Sequence, residues 1–350
     1  MDIKINGVSF TSKVNRDSLR IREYGAYRSD VSFAVEFSGT FSGGICAGME
    51  VKITEPSGTS ERIVWGGVIE KVTTKIVDSD FFTVGVFAKG YETLISRRVE
   101  SAIDTTFSGA AAAFRYVYLN HLKAEGISLD SLIKDKAYPL EINIGGAISL
   151  TELLDIICSY YGYVWWVDSL KCFHAAETIP VTESVFGVNL DAENNIGFIE
   201  ASFVESLDEY RNVQYISLNA NTQFAFVENT QAIAAMKPYI GSGEFSKVGR
   251  KTRVIDRDHG KGLATKLLAN FNEPPVFIRF TDDFSDGSFT LFSKMSVTSA
   301  VIGGTKPFVV TGVVRNYRYG KVFTTVTGYA FSGTAYMPII NTLKTVSFTI

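Results

Sequence analysis

The stretch from Met49 to Glu92 leaves a chain few ways to fold. Val51 and Ile53, then Ile63 and Trp65, alternate with polar neighbours on either side of Pro56, Ser57 and Gly58. That pattern gives an antiparallel hairpin closed by a tight turn. A second hairpin follows. Val68, Glu70, Val72 and Thr74 alternate with Ile69, Lys71, Thr73 and Lys75, and after Asp78, Ser79 and Asp80 the chain returns through Phe82, Val84, Val86 and Ala88. Consecutive hairpins with one apolar face must close on each other or on a neighbour, because a lone pair of strands is marginal in water. The expected outcome is a small antiparallel barrel.

The same texture returns between Val309 and Tyr329. Gly312, Val313 and Val314 match Gly67, Val68 and Ile69; Phe323, Thr324 and Thr325 match Phe82, Thr83 and Val84; Gly328 and Tyr329 match Gly90 and Tyr91. Any two hairpins rich in Val, Thr and Gly share some of this likeness. The sharper reading is two related barrels in one chain.

At 350 residues the chain exceeds one ordinary core and calls for two to four domains or subdomains. Its 46% hydrophobic and 20% charged residues place it among globular chains rather than disordered ones. A formal net charge of -3 supplies no electrostatic drive for sequence-independent nucleic-acid binding, which needs a basic surface. Met1 to Phe10 alternates apolar and polar residues, as a strand does and a secretory signal does not. The longest apolar run, Tyr163 to Val167, is too short to span a bilayer. The expectation is a soluble protein made in a cytoplasm, without stable membrane insertion. Cys46, Cys158 and Cys172 are isolated and odd in number, which argues against a disulfide scaffold or a zinc site.

The fold class read from this pattern is α+β and β-rich: two related small antiparallel β-barrels with intervening α+β subdomains. Residues 1–98 form the N-terminal barrel. Residues 99–198 form an α+β subdomain of two helices and a hairpin. Its first helix runs from Ser108 to Ala124 with a stop at Gly126. Its second begins at a capping box, Ser149 with Glu152, and carries Leu150, Leu153, Leu154 and Ile157 on one stripe until Gly162. The hairpin pairs Tyr163–Val167 with Lys171–Ala175 across Asp168, Ser169 and Leu170. Residues 199–229 and 295–350 form the second barrel, whose last twenty residues read as a strand tucked against a partner. Residues 230–294 form an inserted α+β subdomain. Within it Thr230 to Arg250 reads as an irregular, exposed excursion, and Asp256 or Asp258 caps a helix from His259 to Phe271 that Pro274 and Pro275 stop.

Reactive groups leave little trace. His121, His174 and His259 share no ligand spacing and read as surface or satisfied core histidines. Asp256 to Gly262 resembles the start of a calcium loop, but the third acidic ligand is missing and Leu267 stands where a bidentate Glu belongs, so it reads as a helix cap. The pairs Asp78 with Asp80 and Asp282 with Asp283 could flank a glycosidic bond, yet Asp between strands is first a turn former. No phosphate loop, dinucleotide fingerprint, nucleophile elbow or paired-histidine zinc motif occurs. Adjacent Trp165 and Trp166 lie on opposite faces of a strand, so at most one is core and the other belongs to an interface. No residue is assigned a catalytic, cofactor-binding or metal-binding role, and the expectation is a protein that is not an enzyme and needs no cofactor.

Several segments occur in a telling order: G-M-E-V-K-I-T from Gly48, W-G-G-V-I-E-K-V from Trp65, G-Y-E-T-L-I-S-R-R from Gly90, S-L-T-E-L-L-D-I-I-C-S-Y-Y-G-Y from Ser149, V-W-W-V-D-S-L-K from Val164 and Y-R-N-V from Tyr210. In that order and spacing the chain resembles the tail hub (baseplate hub) proteins of tailed bacteriophages and of phage-tail-like contractile injection particles. The resemblance covers nearly the whole chain, and no single segment is diagnostic. It implies a homotrimer in which each chain supplies two related barrels, so that three chains make a ring of six with approximate sixfold symmetry. Such a ring joins the hexameric tail tube, or a distal tail protein, to a threefold spike or fibre, and its lumen passes the tape measure protein and DNA in transit. The implied location is the virion tail or a phage-tail-like particle. Because the chain ends soon after the second barrel, any spike, wall hydrolase or fibre module is expected on a separate polypeptide. The alternative is a carbohydrate-binding receptor-binding protein, an adhesin of a phage tail, motivated by aromatic residues on β-rich halves. A glycoside hydrolase built on the Asp pairs ranks last.

Overall fold

The structure, a computed structural model, describes residues 1–330 apart from 26–27, 40–43, 58–59, 79, 178–181, 192–197, 206, 208–209, 219–222, 252–256, 270–275 and 284–288. Seven strands open the chain: β1 (Asp2–Ile5), β2 (Val8–Ser9), β3 (Val14–Tyr24), β4 (Arg28–Ser38), β5 (Glu50–Ser57), β6 (Ser60–Asp78) and β7 (Phe81–Gly90). They pair antiparallel in the order β2-β1-β5-β6-β7-β4-β3. Alternate residues, Val31, Phe33 and Val35 on β4 and Val84, Val86 and Ala88 on β7, point to one side, as period-two strands require. That side curls round a cluster that also holds Ile3, Ile5, Ile21, Val51, Ile53 and Trp65. No ladder among the described residues joins β3 to β1 or β2. The seam is held by the connecting loop instead: Phe10 N–H donates to the Ile3 carbonyl (2.8 Å), Val14 N–H to the Phe10 carbonyl (3.0 Å) and Ile3 N–H to Thr11 Oγ1 (2.8 Å).

The two expected hairpins share one strand. β6 is 19 residues long; Ser60–Val68 pairs with β5 and, from Gly67 onward, the strand pairs with β7, so Gly67 and Val68 have a partner on each side. Glycine is required there by close approach. A Cβ on Gly67 would sit 2.1 Å from the Lys89 carbonyl oxygen and 2.5 Å from the Trp65 ring.

The α+β layer follows: α1 (Glu92–Ser96), β8 (Val99–Glu100), β9 (Ile103–Phe107), α2 (Ala110–Val117), β10 (Ser128–Leu129), β11 (Leu140–Ile144), β12 (Ile148–Ser149), α3 (Leu150–Tyr161), β13 (Val164–Val167) and β14 (Cys172–Ala176). α2 continues through a wide turn at Tyr118–Leu122 and a tight one at Lys123–Glu125 before Gly126, at φ 70°, ends it. α3 starts at the expected capping box: Ser149 Oγ accepts from Glu152 N–H and Glu152 Oε2 accepts from Ser149 N–H, both at 3.2 Å. Gly162, at φ 70°, closes its other end in the left-handed region that a side chain would oppose. The hairpin β13–β14 corrects the reading of the tryptophan pair. Trp166 is buried in the second unit's core with Val164, while Trp165 packs on the α+β core, stacked on Phe173 and donating to Asp155 Oδ1 (2.9 Å). Each face of the hairpin meets a different core, so both rings are used inside the chain.

The second unit holds β15 (Thr182–Asn189) and β16 (Phe198–Glu205). A small sheet intervenes, built from β17 (Val213–Leu218), β18 (Gln223–Glu228), α4 (Thr230–Met236), β19 (Ser246–Lys251) and α5 (Arg257–Ala269). The chain then completes the unit with β20 (Val276–Asp282), β21 (Ser293–Ser299), β22 (Gly304–Arg318) and β23 (Lys321–Ala330). The segment Thr230–Arg250 is not an irregular excursion. Asn229 caps α4 by accepting from Ala232 N–H (3.1 Å), and β19 pairs parallel with β17. No residue of α4 is buried, so it carries no apolar stripe for periodicity to detect. The Asp256 cap, the prolines at 274 and 275 and the expected C-terminal strand lie outside the described residues.

The two units repeat one topology. β16-β20-β23-β22-β21 and β3-β4-β7-β6-β5 are neighbours in the same order, every pair antiparallel, and chain order within each set is first, second, fifth, fourth, third. A bulge recurs too: the β6–β7 ladder slips between Ile69 and Lys71, the β22–β23 ladder between Val310 and Gly312. Aligning the bulges sets Lys71 with Gly312, so the glycine-to-glycine match drawn from sequence is out of register although the strands correspond. Alternating Val and Thr match themselves at several registers, and a bulge leaves no mark in composition. Flanking strands differ: β15 runs parallel to β21, whereas β1 runs antiparallel to β5.

Gly67→Ala is expected to cost about 1–3 kcal/mol or more, since backbone must move to admit the methyl group. Chemical denaturation would show this as a lowered midpoint, and an unchanged midpoint would contradict the packing described.

Candidate functional site

β22 is longer than its own unit needs. Gly304–Val309 pairs with β21, and Gly312–Asn316 pairs with β3 from Tyr24 to Arg20, so the two units share one continuous sheet. Side chains lock the joint. Arg315, only 4% exposed, donates from Nη1 to Glu23 and from Nη2 to the Phe289 carbonyl, and Tyr319 N–H donates to Asp17 Oδ1 at 2.8 Å. Tyr317 packs against the first unit's core. A guanidinium out of water is costly unless its donors are met, which fixes the register of this ladder.

The sheet therefore runs β16-β20-β23-β22-β3-β4-β7-β6 without a break. Its face away from the cores mixes polar and aromatic residues. One cross-strand row reads Thr281, Thr325, Val314, Arg22, Asp30 and Lys89. The charges on it are matched locally: Arg22 with Asp30, and Lys89 with Glu70 at 2.9 Å. The Thr281 and Thr325 hydroxyls meet at 3.0 Å, and Ala34 and Gly85 form a stretch with little side chain at all. The next row on the same face reads Lys71, Phe87, Ser32, Arg20, Asn316 and Phe323, so hydroxyls and charges there are interspersed with two half-buried aromatic rings.

The histidines described at their side chains are satisfied within the fold. His121 is buried and bonded to Glu100 (2.8 Å), which also accepts from Tyr116 OH at 3.1 Å. His174 lies between Asp130 (2.7 Å) and Asp168 (3.1 Å) and stacks on Trp166, 5.0 Å between ring centres. Burial opposes its charge, but the two carboxylates outweigh burial and raise its pKa. The side chain of His259 lies outside the described residues. Asp78 accepts from Asp80 N–H (2.8 Å), the turn-forming role, and Asp283 pairs with Lys321 (3.2 Å). Among the described residues no cluster of His, Cys, Asp or Glu could hold a metal ion, and no helix is long and apolar enough to cross a membrane. Cys46 is exposed, Cys158 buried and Cys172 half-buried, all as free thiols.

Two structural features escaped sequence reasoning. The Arg315–Glu23 contact joins residues at opposite ends of the chain, and nothing local marks either. Glu92 follows the Gly90–Tyr91 pair with no distinguishing pattern, yet burial pushes its carboxyl up to about 7; Oε1 accepts from Ser29 N–H at 3.3 Å and Oε2 meets no hydrogen-bond partner.

No protein-family model matches the sequence, and no curated protein matches it. Solved structures do match. A tail protein from Neisseria meningitidis MC58 superposes with a TM-score of 0.68 at 10% identity, over 96% of this chain and 97% of that one. Prophage tail protein gp18 from Listeria monocytogenes EGD-e gives 0.65 at 12%, over 98% of both chains. The E. coli c3393 protein, a component of the type VI secretion system with structural similarity to T4 bacteriophage tail proteins gp27 and gp5, gives 0.57 at 12%, over 97% of this chain and 79% of that one. The fold is thus that of phage tail proteins.

Two outcomes follow from this geometry. Glu23→Ala, which takes the carboxylate from a buried guanidinium, is expected to lower unfolding free energy by about 2–4 kcal/mol, and a loss below measurement error would show that the contact does not secure the joint. Because Glu92 is held above its ordinary carboxylate value, its contribution is full at low pH and is lost as pH rises from about 4.5 through about 7. Glu92→Gln should therefore melt several degrees above the parent at pH 8 and close to it at pH 4.5, and an equal difference at both would contradict the burial argument.

Proposed function

We propose that this chain is a structural hub of a phage tail or of a phage-tail-like particle, working as a homotrimer in which six like β units form one ring. The observation that carries this reading is the repeated five-strand order within one polypeptide, joined into a single sheet by β22 and β3. A threefold assembly of such chains presents six near-equivalent surfaces on one side and three on the other, which is what joining a hexameric tube to a threefold spike demands. The likeness to tail proteins over nearly the full length of this chain supports it.

In this reading β1 to β7, and β15, β16 and β20 to β23, are the ring-forming domains. The α+β layer after Glu92 and the small sheet of β17, β18 and β19 stand outside the ring, where they meet other tail components. The partners are the tail tube or a distal tail protein, a spike or fibre protein and the tape measure protein. The face of the shared sheet turned away from the cores lines the lumen. The role rests on interfaces and requires no reactive group or cofactor.

Light scattering on the purified full chain at tens of micromolar tests this. The expected mass is three times that of the chain. A monomer would overturn the proposal, and a monomer that binds glycans would favour the tail adhesin instead.

A further inference from the structure

The fourth strands of the two units differ in one respect. β22 is covered on both edges along Gly312–Asn316, by β23 and by β3. β6 has the same overhang, since Ser60–Val68 pairs with β5, but from Lys71 to Asp78 it pairs only with β7; among the described residues no strand lies along its other edge. At the far end of the sheet β16, which holds in the second unit the place of β3 in the first, pairs with β20 alone. Each chain thus carries one open edge of each of the two kinds that its own interior joint brings together.

We propose that β6 of one copy and β16 of a second copy form an antiparallel ladder that repeats the β22–β3 joint. The proposal rests on the trimeric ring above and names the strands that close it. The bulge alignment fixes the register. Lys71 stands where Gly312 does and Ser202 where Arg20 does, since Arg20 faces Ser32 as Ser202 faces Arg279. Thr73 then lies opposite Val204 of the next copy, and Lys75 opposite its Ser202.

Three features favour a second copy as the occupant. The template is internal, so the geometry is one this chain already adopts. The open edges carry apolar residues with no cover, Ile76 at 68% exposure, Val77 at 55% and Ile199 at 55%, a hazard that pairing removes. Charge also matches: Lys75 would stand diagonally across from exposed Glu200 of the next copy, on the same face. Because the two edges differ, the contact is head-to-tail, the kind that closes into a ring when the rotation between copies is a whole fraction of a turn.

The test uses two cysteine pairs in the full chain with Cys46→Ser: Lys75→Cys with Ser202→Cys, and Thr73→Cys with Val204→Cys. Neighbouring positions of an antiparallel ladder alternate between wide and narrow pairs, so the two designs cover both spacings. After oxidation, denaturing non-reducing electrophoresis is expected to show a ladder ending at three linked chains for at least one pair, collapsed by reductant and absent from each single variant. Light scattering on the same samples separates the possible failures. Trimers with no ladder from either pair would overturn this joint and leave the ring standing, as would a disulfide confined to one chain. Monomers throughout would overturn the ring and the joint together.

Discussion

The ladder between Gly312–Asn316 and Arg20–Tyr24 is the contact on which the rest of the structure depends. Without it the chain would be two curled sheets tethered through an α+β layer; with it they become one surface with a fixed relative orientation. Backbone pairing alone tolerates slippage along alternating strands. The Arg315 guanidinium removes that freedom, because a shift of one residue would carry it to the solvent face and away from both Glu23 and the Phe289 carbonyl. The hairpin β13–β14 adds a second tie, its two faces packed on two cores through Trp165 and Trp166.

In the proposed trimer a rigid pair of like units would resolve a mismatch of symmetry. A single-unit hexamer would offer six identical attachment points on both sides, while a chain carrying the unit twice can decorate the copies differently. Here the decoration is uneven: the first unit is followed by the layer of α1, α2 and α3, and the second is interrupted by the sheet of β17, β18 and β19. Features that repeat, the five-strand order and the bulge, lie in the shared sheet. Features that do not repeat lie in the insertions, as a threefold partner on one side would require.

Local chemistry was legible in the sequence and long-range pairing was not. Ser149, Glu152 and Gly162 bound α3 within a residue because capping acts over one turn. The hairpins were visible because period-two alternation is local. Three things were hidden. β6 runs as one strand through both hairpins because two glycines let it pass close to Lys89 and Ser169, which no alternation rule reports. α4 sits on the surface without an apolar stripe. The β22–β3 joint links residues nearly three hundred positions apart, and both strands look like ordinary edge or central strands from their own residues. His121, His174 and Asp78 act as hydrogen-bond partners within the fold, for the two histidines with partners that include residues far away in the chain, Glu100 and Asp130.

Electron microscopy of the purified assembly, at a resolution that separates strands, tests the central claim most directly. The account predicts a threefold particle with six lobes of like strand order round a central opening, lined by one uninterrupted sheet whose face away from the cores is turned inward. A particle in which the two units of a chain occupy different rings, or in which the opening is lined by the apolar cores' outer helices, would contradict it.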